Sequence, residues 1–270
     1  MIEHKKYKLL EQGLKAITDG TINLLILKGD AGFSKTYSTQ KYLEENKKNS
    51  FYLNSYTTPL EFYHLLYQNR NREVIIIDDT QGIGDLKIIA MLKGACWGVI
   101  NGDRKVSYHT TAKEFEKRNL PSTFDLKANI ILIMNESIRE FKPILDRGVD
   151  IDFKFSFKEK LEIFRSVKKE AKIDDTILDY VALNCTEANK NISIRSLVTL
   201  SKLKTSGAVW QDFAEEMFKL NDETQLLIDL VSKCQKIEDA CKEWCHETGR
   251  SRRTFFRIKK DIIKNETKEK

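Results

Sequence analysis

One segment of the sequence has the residue types and the spacing of a loop that binds phosphate. It follows an apolar run and reads Gly29-Asp30-Ala31-Gly32-Phe33-Ser34-Lys35-Thr36. The phosphate-loop pattern is glycine, four residues, glycine, lysine, then serine or threonine, and here Ser34 replaces the second glycine. In such loops the backbone N–H groups and the following helix N-terminus surround phosphate oxygens. The residues predicted to bind nucleotide here are Gly29, Asp30, Ala31, Gly32, Phe33, Ser34, Lys35, Thr36 and Tyr37.

Two side chains of this loop have separate predicted roles. Lys35 brings positive charge to the β- and γ-phosphates, and the Thr36 hydroxyl binds Mg²⁺. The alternative is an ordinary glycine-containing turn between a strand and a helix, which the Lys-Thr ending disfavours. Ser34 brings a Cβ to a position where many such loops have none.

A second apolar run, Val74–Ile77, ends in the two carboxylates Asp78 and Asp79. An acid at the carboxyl end of a parallel strand lies beside the nucleotide crevice of the sheet. We therefore expect Asp78 to orient the Mg²⁺ shell and Asp79 to polarise the attacking water. The alternative, two solvated turn aspartates, is disfavoured by the phosphate loop that precedes them.

A parallel sheet is needed to bring these residues together. The short strand-like runs are 22–27, 50–54, 74–77, 129–134 and 149–155. Helical patterns lie between several of them, at 37–47, 59–68 and 85–97. Strands that alternate with helices indicate βαβ units. The sequence predicts an α/β fold with a five-stranded parallel sheet flanked by helices.

Only helical patterns follow Ser156. They cover 159–170, 174–184, 192–204, 208–219, 237–247 and 251–264. We predict an α/β domain over 1–155, an all-helical domain over 156–220 and a small basic module over 221–270.

The basic module has the pattern of a helix-turn-helix. Two amphipathic helices are joined by a break at Thr248–Ser251, and between residues 250 and 264 only Asp261 opposes seven positive side chains. This arrangement places the second helix against DNA. The predicted DNA contacts are Arg250, Arg252, Arg253 and Arg257. A solvated helical face that packs on the preceding domain is the alternative.

Composition excludes several classes of protein. The 270 residues are 41% hydrophobic and 32% charged, which excludes wholesale disorder. No apolar run approaches the roughly 20 residues of a membrane span, and no apolar stretch follows the basic start. The five cysteines are expected to be reduced thiols, so we predict a cytoplasmic protein with no membrane partner. The net charge of +6 is too small to prove nucleic-acid binding by itself.

In their order and spacing these motifs resemble the AAA+ P-loop ATPases, over about residues 10–205, and in particular those of phages, plasmids and mobile elements. The family usually has Asp-Glu where this chain has Asp78-Asp79. The resemblance implies ATP and Mg²⁺ as cofactors, with Thr36 and Asp78 at the metal. It also makes the helical domain a lid over the α/β domain.

The resemblance also assigns three further residues. Asn135, after the strand-like run 129–134, is similar to the sensor-1 residue that positions water. Arg147, in the segment 143–148, is similar to the arginine finger that reaches the site of a neighbouring subunit. Arg195 is similar to the sensor-2 arginine of the lid. The alternatives are a surface salt bridge for Arg147 and a plain helix surface for Arg195.

The stretch before Asn135 has a possible DNA-binding hairpin. It begins at Gly102–His109 and continues at Pro121–Asp125. Several DNA-acting AAA+ branches and the superfamily 3 helicases, which the chain also resembles in part, place a basic hairpin here. Arg104 and Lys105 would then contact backbone phosphates in a central pore. An exposed loop with ordinary charges is the alternative.

The resemblance thus implies a Mg²⁺-dependent ATPase that assembles as a ring or filament, hexamer-like, and couples ATP to work on DNA. That work would be replication, helicase loading or translocation, with a replication or recombination protein as a further partner. Two alternatives stay open: a superfamily 3-like helicase, and a non-hydrolysing ATP-dependent DNA-binding switch, which Ser34 and Asp79 motivate. A metabolite kinase is disfavoured because the basic module would have no task there.

Overall fold

The computed structural model describes residues 2, 4–97, 104–135, 141–185, 189, 191–218 and 223–268. The chain divides into two compact units, one over residues 2–154 and one from Phe155 onward. The further division at residue 220, between a lid and a basic module, stays a prediction.

The described part of the first unit has seven strands. They are β1 (Leu24–Gly29), β2 (Ser50–Leu53), β3 (Val74–Asp78), β4 (Lys105–Ser107), β5 (Thr123–Asp125), β6 (Asn129–Met134) and β7 (Val149–Phe153). Five of them form a parallel sheet in the order β2-β3-β6-β1-β7. The predicted five-stranded parallel sheet is confirmed.

The centre of this sheet is formed by β3, β6 and β1. Every residue of β3 and β6 is buried, because helices cover both faces of a parallel sheet and its strands are apolar throughout. The register pairs Lys28 with Met134 and Asp78 with Ile133. The carboxyl ends of the three central strands therefore meet at one edge.

Six helices are described in the first unit. They are α1 (Lys5–Thr18), α2 (Lys35–Glu45), α3 (Pro59–Gln68), α4 (Leu86–Cys96), α5 (Lys113–Lys117) and α6 (Lys142–Leu145). The start of α3 is fixed by Pro59 in its first turn and by Thr58, whose hydroxyl accepts the Glu61 N–H. Helix α1 is not among the predicted helices, although its buried Tyr7, Leu10, Leu14 and Ile17 recur at helical spacing.

The predicted hairpin exists as an antiparallel pair of β4 and β5, with Lys105 opposite Asp125. Its first two predicted residues, 102 and 103, lie outside the described residues. Aromatic side chains fasten the hairpin to α3, since the rings of Tyr63 and Phe124 pack edge to face at 5.2 Å. Lys105 is exposed on this hairpin.

Arg104 does not have the role that the sequence suggested. Its side chain is buried, and the guanidinium donates to the backbone oxygens of Lys127 at 2.6 Å and Ala128 at 2.9 Å. A third bond reaches the Ala95 oxygen at 3.4 Å. A guanidinium satisfied by buried carbonyls cannot also contact a DNA backbone, so that prediction is wrong for Arg104. Its function is to join the end of α4 to the base of the hairpin.

All the secondary-structure elements described in the second unit are helices. Its helices are α7 (Phe157–Ala171), α8 (Asp175–Asn184), α9 (Ile194–Thr205), α10 (Trp210–Phe218), α11 (Glu223–Lys233), α12 (Ile237–Thr248) and α13 (Arg252–Lys268). A reciprocal pair of hydrogen bonds between Ser156 and Glu159 begins α7. In the parts of the chain that the structure describes, none of the helices is long and apolar enough to cross a membrane.

The last three helices share one apolar cluster. Trp244 of α12 and Phe255 of α13 are fully buried in it, with ring centroids 5.6 Å apart. The predicted break lies between these helices, where Gly249 ends α12 with a left-handed φ of 66°. Two helices joined by a glycine turn are therefore present where the sequence predicted them.

Candidate nucleotide-binding site

The phosphate loop connects β1 to α2 at the carboxyl edge of the sheet. Gly29 has a φ of 123°, and a Cβ there would lie 2.6 Å from the carbonyl carbon of Phe153. Only glycine fits this approach of two backbones. Ser34 is in the left-handed region at φ 57°, where the pattern usually has glycine. The loop keeps its turn despite the Cβ.

Lys35 is buried at the first position of α2. Its ammonium donates to the Gly29 oxygen at 2.7 Å and to the Asp30 oxygen at 2.8 Å, and Asn135 Oδ1 lies 3.4 Å away. The positive charge is thus held within the loop, where a phosphate would be bound.

Asp78 and Thr36, the predicted metal pair, lie together. The Thr36 hydroxyl donates to Asp78 Oδ2 at 2.6 Å. The Tyr52 hydroxyl, on β2, donates to the same oxygen at 2.6 Å. Burial, together with the bond to Asp78, raises the pKa of Tyr52 to about 12, so this phenol is a neutral donor.

Tyr52 is not among the residues predicted for the site from the sequence. It lies across two strands from the phosphate loop, and only the strand order places its side chain beside Asp78. The only indication in the sequence is that Tyr52 belongs to a predicted strand, 50–54, which the structure places next to the strand that ends in Asp78.

Asp79 and Asn135 form the second polar pair. Asn135 Nδ2 donates to Asp79 Oδ2 at 2.6 Å. The Asp79 N–H donates to the Ile133 oxygen at 3.0 Å, which fastens the end of β3 to β6. Asn135 therefore contacts Lys35 through its oxygen and Asp79 through its nitrogen. The two amide atoms connect the cation of the loop to the second carboxylate.

A cavity of about 250 Å³ lies at this edge between the ends of β3 and β6. Asp79 and Asn135 line it together with apolar side chains that include Ile77 and Leu132. The cavity has room for water beside a carboxylate and an amide, the two groups that a hydrolytic site needs near the attacking molecule.

The residues present suit a magnesium nucleotide. Magnesium prefers one or two protein oxygens and completes its shell with phosphate and water, and Thr36 and Asp78 offer a hydroxyl and a carboxylate. Within the described residues, no group of three or more His, Cys, Asp or Glu side chains could hold a metal by itself. A site completed by phosphate oxygens agrees with this donor set.

Arg147 and Arg195, the two remaining residues predicted for the nucleotide site, belong to other segments of the chain. Arg147 follows α6, is 30% exposed, and has Nη1 3.5 Å from Asp146 Oδ1. The salt bridge considered as its alternative is therefore present, and the Arg147 side chain is partly exposed. Arg195 is exposed in the first turn of α9, in the second unit. The assignment of both to a nucleotide site stays a prediction.

Among the predicted DNA-binding arginines, Arg250 lies just before α13 and the other three lie in its first two turns. Arg250, Arg253 and Arg257 are exposed. Arg252 is also exposed, but its Nη1 lies 2.7 Å from Glu238 Oε2 of α12, and the guanidinium lies over the ring of Phe256. Arg252 therefore helps to hold the two helices together, whereas the other three face outward.

The sheet order and the phosphate loop define the class of fold. A point mutant of RuvB from Thermotoga maritima is similar to this chain with a TM-score of 0.50 and 12% identity, over 93% of this chain and 83% of that one. Unmodified RuvB, a Holliday junction branch migration motor, matches with a TM-score of 0.49 at 13% identity and the same coverage. The chain has the fold of the AAA+ P-loop ATPases.

At the level of sequence, no family model matches the chain. It is similar to an uncharacterized 36.7 kDa protein of Enterobacteria phage T4 from the nrdC-mobD intergenic region. The two are 25% identical over an alignment of 249 positions, which covers 78% of this chain and 73% of the phage protein.

Proposed function

We propose that this protein is a Mg²⁺-dependent ATPase that works on DNA as an oligomer. The observation that carries the proposal is the presence of two hydrogen-bonded groups at the carboxyl edge of the sheet, one of Lys35, Asn135 and Asp79 and one of Thr36 and Asp78. Each member has the chemistry that phosphoryl transfer requires at that place.

The contacts suggest a separate role for each of these residues. Lys35 balances the charge of the transferred phosphate, while Thr36 and Asp78 hold the metal. Magnesium, when bound with the nucleotide, neutralises charge on the β- and γ-phosphates. Asp79 accepts the proton of the attacking water, and Asn135 fixes the direction of the Asp79 carboxylate through the bond of 2.6 Å.

The proposed action on DNA is supported by the outward-facing arginines of α13 and by the helix-turn-helix arrangement of α12 and α13. RuvB, which has the same fold, moves DNA junctions, and this is an analogy of fold. The proposed assembly is supported by the partial exposure of Arg147, which a neighbouring subunit could contact. We also propose that the protein is of the type found in phages, plasmids and mobile elements, as its motifs suggest.

Nucleotide binding is the first test. Lys35→Ala removes the only side-chain cation that the structure shows bonded to carbonyls of the described phosphate loop, so binding of labelled ATP should fall by at least 100-fold. Lys41→Ala, on the same helix, is the matched control and should bind as the unmodified chain does. Equal affinity of the Lys35→Ala protein would remove the phosphate-loop assignment.

Two assays separate the alternatives. Strand displacement by the purified protein would favour a superfamily 3-like helicase over a loader. ATP binding without phosphate release, with DNA present, would favour the non-hydrolysing switch that Ser34 and Asp79 motivate. Mass measurement with and without nucleotide would show whether the protein assembles.

A further inference from the structure

One carbonyl oxygen of the phosphate loop accepts a hydrogen bond from a side chain of helix α1. The Tyr7 hydroxyl, in the first turn of α1, donates to the Phe33 oxygen at 2.6 Å. Tyr7 is only 4% exposed, and its ring packs edge to face against Phe153 with centroids 5.4 Å apart. A buried phenol thus fixes the direction of one loop carbonyl.

The next residue, Ser34, has an unfavourable backbone conformation. Ser34 has φ 57° and ψ 21°, a conformation that a residue with a Cβ rarely adopts. Its side chain makes no capping hydrogen bond to the helix it precedes, so it does not stabilise this backbone locally. Rotation of the peptide between Phe33 and Ser34 would relieve the strain.

That rotation would also change the phosphate site. In a planar trans peptide the C=O and N–H bonds point in opposite directions. While Tyr7 holds the Phe33 oxygen, the Ser34 N–H points away from α1. Loop N–H groups of this kind are the donors that bind phosphate, and a rotated peptide would present its carbonyl oxygen instead.

We infer that Tyr7 is a positioning residue, which holds the Phe33–Ser34 peptide in its phosphate-binding orientation against the strain at Ser34. The inference rests on the proposed nucleotide binding. It explains how this chain keeps a working loop with serine where the pattern has glycine. The contact comes from a helix that lies outside the phosphate-loop motif.

The test is a set of combined substitutions read by the Kd of fluorescently labelled ADP. Tyr7→Phe keeps the ring and removes the donor, so the Kd should rise about 5- to 10-fold. Ser34→Gly in the same chain should return the Kd to within about twofold of the original, because glycine has no preference for rotating away. Ser34→Gly alone should change little.

Two controls separate strain from other effects. Ser34→Ala keeps the Cβ and loses the hydroxyl, so Tyr7→Phe with Ser34→Ala should show no recovery. Tyr42→Phe removes a phenol from α2 and should leave the Kd unchanged. Circular dichroism and thermal melting of each variant would show that it is folded under the conditions of the binding assay.

The outcomes are distinct. Normal ADP affinity of the Tyr7→Phe protein would overturn the inference alone, as would an equal loss of affinity with serine and with glycine at position 34. A purely structural role for Tyr7 would lower the melting temperature in both backgrounds without the selective recovery. Absence of ADP binding by the unmodified chain would overturn the proposed function, and the inference with it.

Discussion

At the scale of single residues, the site differs from the usual AAA+ pattern at its second carboxylate. Asp79 is one methylene shorter than the glutamate usually present, yet its Oδ2 lies 2.6 Å from Asn135. Its φ of 41° turns the backbone at this point. The short side chain is therefore held in the site by its neighbour and by the backbone turn.

Asp79→Asn should leave nucleotide bound and lower ATP turnover by roughly 100-fold or more, because an amide cannot accept the proton of the attacking water. Steady-state phosphate release, beside equilibrium binding of labelled ATP, would measure the two effects separately. Asp85→Asn, at the N-terminus of α4, is a control that makes the same chemical change away from Asn135. Full turnover by Asp79→Asn would assign the base to another group.

Tyr52 gives a second prediction at this scale. Tyr52→Phe removes one of two hydroxyl donors to Asp78 Oδ2, so the carboxylate should be less well oriented for the metal. We expect the Mg²⁺ concentration for half-maximal nucleotide binding to rise several-fold, with little change in binding measured without Mg²⁺. Tyr42→Phe should have no effect on either quantity. An unchanged Mg²⁺ requirement would show that Thr36 alone orients Asp78.

At the scale of elements, the basic helix α13 can be tested by salt dependence. Arg253→Ala and Arg257→Ala should each weaken DNA binding and reduce the slope of log affinity against log salt by about one. Lys202→Ala, which removes one exposed charge from α9, is the matched control. Binding of DNA with an unchanged slope in both arginine variants would contradict the helix-turn-helix proposal.

The elements also indicate what can be predicted from the sequence. The predicted bounds of each strand of the main sheet agree with the structure to within two residues at either end. The central strands are buried on both faces and are therefore continuous apolar runs such as 130–133, whereas the edge strand β7 alternates apolar and charged residues. The polar residues of the site were predicted because they directly follow those strands. In a parallel sheet all strands end at the same edge, so residues that follow the strands in the sequence can be expected to lie near one another.

Contacts between distant segments could not be predicted in this way. A charged residue such as Arg104, next to a predicted hairpin, is expected to be exposed. Its burial and its hydrogen bonds to three carbonyl oxygens become visible only when the packing of α4 against the hairpin is known. Tyr7 and Tyr52 act through partners 26 residues away in each case, across a fold that must be known first. The charged residues of α1 also obscured its apolar spacing.

At the scale of the whole molecule, the role proposed for Arg147 predicts that the site is complete only where two subunits meet. Arg147→Ala should bind ATP normally and hydrolyse it at least 10³-fold more slowly, since charge supplied by a neighbour can contribute that much. Mixing it with an Asp78→Ala protein should restore part of the activity, because mixed interfaces combine one intact half from each.

The concentration dependence of turnover checks the same point. Activity per subunit should rise with protein concentration, because an isolated subunit has no neighbouring arginine. A monomer that hydrolyses ATP at the full specific rate, or a mixture without recovery, would show that Arg147 serves only its salt bridge with Asp146.

The strand β1 connects the phosphate loop with the segment that carries Arg147. Its last residue, Gly29, begins the phosphate loop, and its first residue, Leu24, lies against Gly148, where a Cβ would be 2.7 Å from Leu24 Cγ. Gly148 directly follows Arg147. A strand of six residues is about 20 Å long. In the proposed oligomer, β1 would therefore run from the phosphate loop of one subunit to the segment that carries the arginine predicted to serve the next.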